Sequence, residues 1–274
     1  MEPPKQSNER RPNLFIVGVA KGGTTAWADY LNQHPEVFMS LEQRPNYFGD
    51  YWDINSRYYN TPEKYLSLFK GATNEKYLGE ASHILNSIKA PHQIKEFSPN
   101  SKIIIILRNP VEVLRSNLDS GGYQTTPELI FTLKELLYYD NIQRWIKVFG
   151  QKNVYVMLFD NYVKDIKKEY GKVCDFLGID NTFEPVLERL NYSSVANYPF
   201  YFKIIFSIYN KLPFIFRKRI KYSFGHDKKQ KIQQFYRKFD RSEVIHTEIP
   251  KDDKEMIYNA FFKDQFEKAL QFVR

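Results

Sequence analysis

Lys21 stands inside the stretch Val17-Gly18-Val19-Ala20-Lys21-Gly22-Gly23-Thr24-Thr25. An apolar run from Leu14 to Val17 precedes it, and Ala26, Trp27, Tyr30 and Leu31 follow at helical spacing. A buried strand that opens into a glycine-rich turn and then a helix makes an anion site, because loop amides and the helix dipole point at one place. Lys21 adds a full positive charge, Gly22 and Gly23 permit close approach of the backbone, and Thr24 and Thr25 supply hydroxyls. An ordinary strand-turn-helix connection is the plainer reading. A lysine within a Gly-Gly-Thr-Thr turn favours phosphate. A second group lies at Leu107-Arg108-Asn109-Pro110, where Arg108 leaves an apolar run and Ser116 falls about two turns into the following helix. A guanidinium and a hydroxyl so placed can clamp another phosphate. Together the two groups describe a nucleotide with phosphates at two separate positions.

The spacing differs from that of nucleoside triphosphatases. Their loop sets lysine directly before the hydroxyl residue that holds magnesium, whereas Gly22 and Gly23 separate Lys21 from Thr24. The strand Lys102–Leu107 ends on Arg108 where a metal-holding aspartate would stand. A site of cations and amides with no metal is predicted, and a kinase-like phosphotransferase is disfavoured.

The elements that must carry these groups read as alternating strands and helices. Strands are predicted near 14–17, 36–39, 77–80, 102–107 and 153–158. Helices are predicted behind Thr25, near 62–69, over 90–97, from Pro110, from Pro127 to Phe149, over 161–177 and over 252–272. This alternation predicts an α/β fold, a central parallel sheet flanked by helices, with ligands at the carboxyl ends of the strands. The loop at 17–25, the loop at 40–49, Ser82-His83 and Arg108 should then share one rim.

Composition sets outer limits. The 274 residues suit one large domain over 13–274 behind a polar, proline-rich tail at 1–12 that reads as disordered. Cys174 is the single cysteine, which excludes an internal disulfide and suits a reducing compartment. No signal-peptide core or bilayer-length apolar run is found, so a cytoplasmic location is predicted, with weak membrane-surface association left open. The formal charge of +8 points to anionic ligands. No helix-turn-helix, zinc or RNP pattern supports nucleic acid as the partner. The stretch 198–222 is rich in aromatic residues, ends in a basic cluster, and reads as a lid, a core element or an interfacial segment. Oligomeric state is not legible.

The pair Gly18–Thr25 and Leu107–Ser116 resembles sulfotransferases that use 3′-phosphoadenosine 5′-phosphosulfate, nearest the heparan sulfate sulfotransferase branch and its bacterial relatives. The resemblance runs from about residue 13 to 180 and takes in Asp175-Phe176-Leu177-Gly178. It implies a P-loop-like fold and a metal-independent transfer that releases adenosine 3′,5′-bisphosphate. Lys21, Gly22, Gly23, Thr24, Thr25 and Ala26 would hold the 5′-phosphosulfate, and Arg108 and Ser116 the 3′-phosphate. Lys21 would also stabilise charge on the departing bridging oxygen.

The same resemblance exposes two departures. The branch carries a glutamate base ahead of a Pro/Val-His/Asn-aromatic-Phe segment. The matching residues here are Arg44-Pro45-Asn46-Tyr47-Phe48, and a guanidinium cannot take a proton. Arg44, Asn46, Tyr47 and Phe48 are therefore predicted to meet the acceptor. Glu42 and Glu80 are possible bases, Glu42 reading more simply as a surface residue. His83 occupies the place of a catalytic histidine in the cytosolic small-molecule sulfotransferases, and its ordinary pKa near ~6.5 suits proton removal at neutral pH. A histidine merely bonded at a strand end is the alternative. Second, the basic, glycine-containing loop that relatives place late against the 3′-phosphate is not evident, with Lys228, Lys229 and Lys231 as substitutes. The acceptor is predicted to be a small molecule or saccharide bearing a hydroxyl or amine. A non-catalytic bisphosphate-binding protein is the rival that the Arg44 replacement keeps open.

Overall fold

The computed structural model describes residues 10–40, 42–49, 57–119, 132–187 and 251–274. The predicted aromatic stretch 198–222 and Lys228, Lys229 and Lys231 lie outside them, as does the tail before Arg10.

Five parallel strands form one sheet: β1 (Leu14–Ile16), β2 (Val37–Met39), β3 (Tyr77–Ala81), β4 (Lys102–Leu107) and β5 (Val154–Leu158), in the order β2-β3-β1-β4-β5. The predicted α/β architecture is therefore the one observed. β4 holds four successive isoleucines, stiff β-branched residues that suit a strand covered on both faces, and all four are fully buried. Side chains of β1 alternate, with Phe15 and Val17 feeding one hydrophobic core and Leu14 and Ile16 the other. Each core is a layer between the sheet and its helices.

The helices are α1 (Thr24–Asn32), α2 (Pro62–Leu66), α3 (Ala90–Phe97), α4 (Pro110–Asp119), α5 (Tyr138–Phe149), α6 (Phe159–Tyr162), α7 (Ile166–Leu177), α8 (Lys251–Ile257) and α9 (Lys263–Leu270). Trp27 of α1 is buried between Tyr162 and Tyr170 on one face, and Trp145 of α5 stacks on Phe149 on the other.

Two predicted helices are divided. The one expected from Pro127 to Phe149 breaks at Leu136–Leu137, where Leu136 turns into the core. The Asn141 amide donates to the carbonyls of Lys134 (2.8 Å) and Glu135 (3.2 Å), ending the first helical segment. The helix expected over 161–177 starts afresh at Ile166 because the Asp165 carboxylate accepts the Lys168 amide at 3.0 Å.

Chain order places the site. From β1 the chain winds outward to β2 and β3, then returns to β4 on the other side, so the end of β1 is a topological switch point. Beyond the strands the pairing continues. Val17 and Val19 donate to Ile104 and Ile106, while Ser82 and Ile84 donate to Ile16 and Val17. Three strand ends thus converge, carrying residues 17–25, 82–84 and 108–109.

Candidate donor and acceptor site

The loop after β1 turns sharply. Lys21 sits at φ 63 and Gly23 at φ 88, both left-handed. Glycine tolerates that region and a side-chain-bearing residue does so at a cost, so the surroundings must hold Lys21 there. Gly22 donates its amide to Val19 at 3.0 Å, and a Cβ at Gly22 would lie 2.9 Å from the same carbonyl. The Gly22 amide is thus spent inside the loop, and the residue serves there by lacking a side chain. The first i→i−4 bond of α1 runs from Trp27 to Gly23, so the amides of Thr24, Thr25 and Ala26 lie ahead of the helical ladder and suit an anion. The Ala26 methyl itself packs in the core, so only its backbone serves.

Arg108 follows β4, as predicted, and lies beside this loop. Its Nη1 donates to the Lys21 carbonyl at 2.8 Å, and its guanidinium covers the Phe159 ring at 4.4 Å. Its Nε is buried with no hydrogen-bond partner among the described residues. A buried guanidinium N–H directed at no acceptor is what an anionic ligand would satisfy. Burial lowers the Arg108 pKa, but an arginine remains charged at neutral pH. Asn109 caps α4 by accepting the amides of Val111 (3.0 Å) and Glu112 (3.4 Å), which directs the start of that helix toward the same rim. Ser116 is buried on α4. Neighbouring Arg115 turns to Glu112 at 2.7 Å, and Lys254 of α8 meets the same carboxylate at 3.1 Å.

His83 reaches the loop from the opposite side. Its Nε2 stands 3.5 Å from the Thr24 hydroxyl oxygen. Burial first, then the positive charges of Arg44 and Lys21, push its pKa down to about 3. Its imidazole is therefore neutral at physiological pH. Arg44 is exposed at φ 53 and donates its amide to Ala81 at 3.0 Å, fixing the 42–49 loop to the end of β3. Lys21, Thr24, Arg44 and His83 thus form one group, as the sequence predicted.

Other predicted residues are placed differently. Phe48 is 4% exposed in the aromatic core with Phe15, Tyr65 and Phe97, which corrects its assignment to the acceptor. Tyr47 stacks on Tyr65 at 4.3 Å and 9° between planes, so its ring is committed to packing. Asn46 is buried, with its amide 3.5 Å from the Ser82 hydroxyl. Glu42 is buried rather than on the surface, and the Tyr59 hydroxyl lies 3.5 Å from its carboxylate. Glu80 is 1% exposed, facing Tyr65 and Ser82, and burial lifts its pKa to about 8 against the smaller opposing effect of those hydroxyls. A carboxyl that keeps its proton at neutral pH inside the core is poorly placed to be the base.

Sequence reasoning missed two residues that grip the loop and one that holds Arg108. Tyr162 donates to the Gly22 carbonyl at 3.0 Å, Glu135 accepts the Ala20 amide at 3.2 Å, and Tyr138 donates to the Arg108 carbonyl at 2.9 Å. Each is remote in the chain from the backbone it holds, and Glu135 and Tyr138 lie in an apolar stretch that reads as core. Only an isolated glutamate among leucines at 133–137 signals that Glu135 is unusual. Among the described residues no group of three or more His, Cys, Asp or Glu is arranged to hold a metal ion, and no helix is long and apolar enough to cross a membrane.

A switch-point loop of amides and lysine, flanked by a half-buried arginine on one side and a neutral histidine on the other, closes the carboxyl edge of a parallel α/β sheet. The chain belongs to the sulfotransferase family: the model of the sulfotransferase domain matches residues 11–200. It is 28% identical over 189 residues to mouse heparan sulfate glucosamine 3-O-sulfotransferase 6, covering 62% of this chain and 53% of the relative. It is 25% identical over 192 residues to human heparan sulfate glucosamine 3-O-sulfotransferase 3A1, covering 64% and 46%. The chain spans about half the length of these curated relatives. The crystal structure of a sulfotransferase from Alicyclobacillus acidocaldarius superposes with a TM-score of 0.59 at 26% identity, covering 67% of this chain and 87% of that one. The predicted family is therefore correct, and the fold is that of its structural relative.

Proposed function

We propose that the chain transfers a sulfuryl group from 3′-phosphoadenosine 5′-phosphosulfate to a hydroxyl or amine of a small-molecule or saccharide acceptor. The observation that carries this reading is the Arg108 guanidinium, which bonds the Lys21 loop through Nη1 while its buried Nε stays unpaired. One cation thus joins two phosphate subsites, as a donor phosphorylated at both ends requires. The saccharide option draws on the named relatives, which are heparan sulfate glucosamine sulfotransferases.

When bound, the donor supplies an electrophilic sulfuryl group and a bisphosphate leaving group. Lys21 and the amides of Thr24, Thr25 and Ala26 hold the 5′ end, and Arg108 and Ser116 hold the 3′-phosphate. The Lys21 ammonium would favour negative charge on the bridging oxygen. His83 takes the acceptor proton at Nε2, beside Thr24 and so beside the 5′ end. Without ligand, an imidazolium there would be repelled by Lys21 and Arg44. An anion on those two cations offsets that repulsion, the smaller cause of the shift, while burial, the larger, keeps the imidazole neutral and able to accept a proton. Arg44, exposed at the rim, recognises an anionic or polar part of the acceptor.

The test is acceptor-dependent release of the bisphosphate against a panel of alcohols, phenols, amines and sugars, with chelator present. Wild type should turn over, and His83→Ala should retain donor binding while losing about 10²-fold or more in turnover. Turnover by His83→Ala equal to wild type removes His83 from the reaction. Donor binding with no release on any acceptor supports a non-catalytic binder.

A further inference from the structure

Three consecutive loop residues have their backbones held by side chains from distant parts of the chain. Glu135 accepts from the Ala20 amide, Arg108 donates to the Lys21 carbonyl, and Tyr162 donates to the Gly22 carbonyl. Arg108 has a ligand role of its own, and Tyr162 also packs on Trp27. Glu135 has neither. Its side chain is fully buried, and its Oε1 finds no hydrogen-bond partner among the described residues. That oxygen lies 3.0 Å from where a Cβ on Gly18 would stand. A carboxyl in such a place costs folding free energy that a leucine would not, so stability alone does not explain it. The segment that carries it also touches the second subsite, because Tyr138, just past the helix break, donates to the Arg108 carbonyl. Asn141 locks this segment through the carbonyls of Lys134 and Glu135.

We propose that Glu135 is a positioning residue for the sulfuryl donor. By accepting the Ala20 amide from behind the loop, it holds Lys21 in its left-handed conformation, so that the ammonium and the amides of Thr24–Ala26 face the same point. Its contact is with the Ala20 backbone amide, and it takes no part in proton transfer. The proposal rests on the reading of this loop as the 5′-phosphosulfate subsite.

The test compares Glu135→Leu, which removes the acceptor, with Glu135→Gln, which keeps a carbonyl of the same reach. The Leu variant should lose about tenfold to 10²-fold in kcat with acceptor KM within about twofold of wild type, since small misplacements of a catalytic group have effects of that size. The Gln variant should recover kcat to within about threefold, because it can still accept the Ala20 bond. A purely structural role would lower Tm in the Leu variant and leave kcat of the folded enzyme unchanged. A folded Leu variant with wild-type kcat, or a Gln variant as impaired as Leu, overturns the proposal. Should the Leu variant not fold, the Ala20 amide resonance decides. It should titrate in wild type with a buried carboxyl near neutral pH and stop doing so in Glu135→Gln, and an Ala20 amide insensitive to pH in wild type refutes the bond. Failure of the donor reading is distinguishable: wild type and both variants would then all fail to bind adenosine 3′,5′-bisphosphate.

Discussion

Gly23→Ala probes how tightly the loop is fitted to the structure behind it. Gly23 has φ 88, and a Cβ there would overlap the Tyr162 hydroxyl oxygen and lie 3.3 Å from its ring carbon. The left-handed backbone costs an alanine about 1–2 kcal/mol. Displacing the hydroxyl forfeits its 3.0 Å bond to the Gly22 carbonyl, worth about 1 kcal/mol. Repacking Tyr162 against Trp27 and Phe159 adds about 1–3 kcal/mol. The single substitution should thus destabilise by about 3–6 kcal/mol, a large share of a domain's stability. Tyr162→Phe alone loses the bond, about 1 kcal/mol. In the double variant the oxygen that collides is gone, so the cost should fall short of the sum by about 1–3 kcal/mol. Urea denaturation of the four proteins completes the cycle, and calorimetric titration with adenosine 3′,5′-bisphosphate shows whether loop displacement also weakens binding. Costs that add to within about 0.5 kcal/mol would refute the steric argument, as would a Gly23→Ala protein as stable as wild type.

Two further outcomes follow from buried groups and caps. Glu80 has a folded pKa raised from 4.5 to about 8, so its contribution to stability is full below pH 4.5 and is lost as pH rises through 8. Glu135, raised to about 7, acts in the same sense, while the depressed pKa of His83 removes stability as pH falls below 6.5. Glu80→Gln should therefore flatten the decline in Tm between pH 5 and pH 8 and gain, relative to wild type, on the order of a few kcal/mol at the alkaline end. An unchanged slope in thermal melts would show that Glu80 is not protonated in the folded state. Asp165→Ala removes the cap of α7 and should cost about 1 kcal/mol in denaturant unfolding without affecting kcat. A change in kcat would mean that α7 is coupled to the site.

Much of the architecture was legible in the sequence because short-range physics decides it. The β4 isoleucines, the glycines after β1 and the proline opening α4 each constrain their own neighbourhood, and all five strands and the converging loops followed from them. Helix breaks were less legible. Leu136–Leu137 fits a continuous apolar stripe, and the break depends on the Asn141 side chain, which reaches back six to seven residues to the carbonyls of Glu135 and Lys134. The same limit applies to the site. Lys21, Thr24, His83 and Arg108 announce themselves by residue type at strand ends. Glu135 and Tyr162 act on the loop from 115 and 140 residues away, and beyond the lone glutamate among leucines at 133–137 nothing local marks them. Tyr47 and Phe48 show why an aromatic pair after a strand is ambiguous, since it looks the same whether it meets a ligand or a core; here Tyr47 stacks on Tyr65 and Phe48 packs on Phe97.

The central claim is that one donor bridges the Lys21 loop and Arg108. Calorimetric titration of the wild-type protein with adenosine 3′,5′-bisphosphate and with adenosine 5′-phosphate tests it most directly, alongside Arg108→Ala. The account predicts that wild type prefers the bisphosphate by at least about tenfold, a charge-assisted contact being worth about 1.5–3 kcal/mol. Arg108→Ala should erase that preference. Equal affinity of wild type for the two nucleotides, or no binding of either, would contradict it.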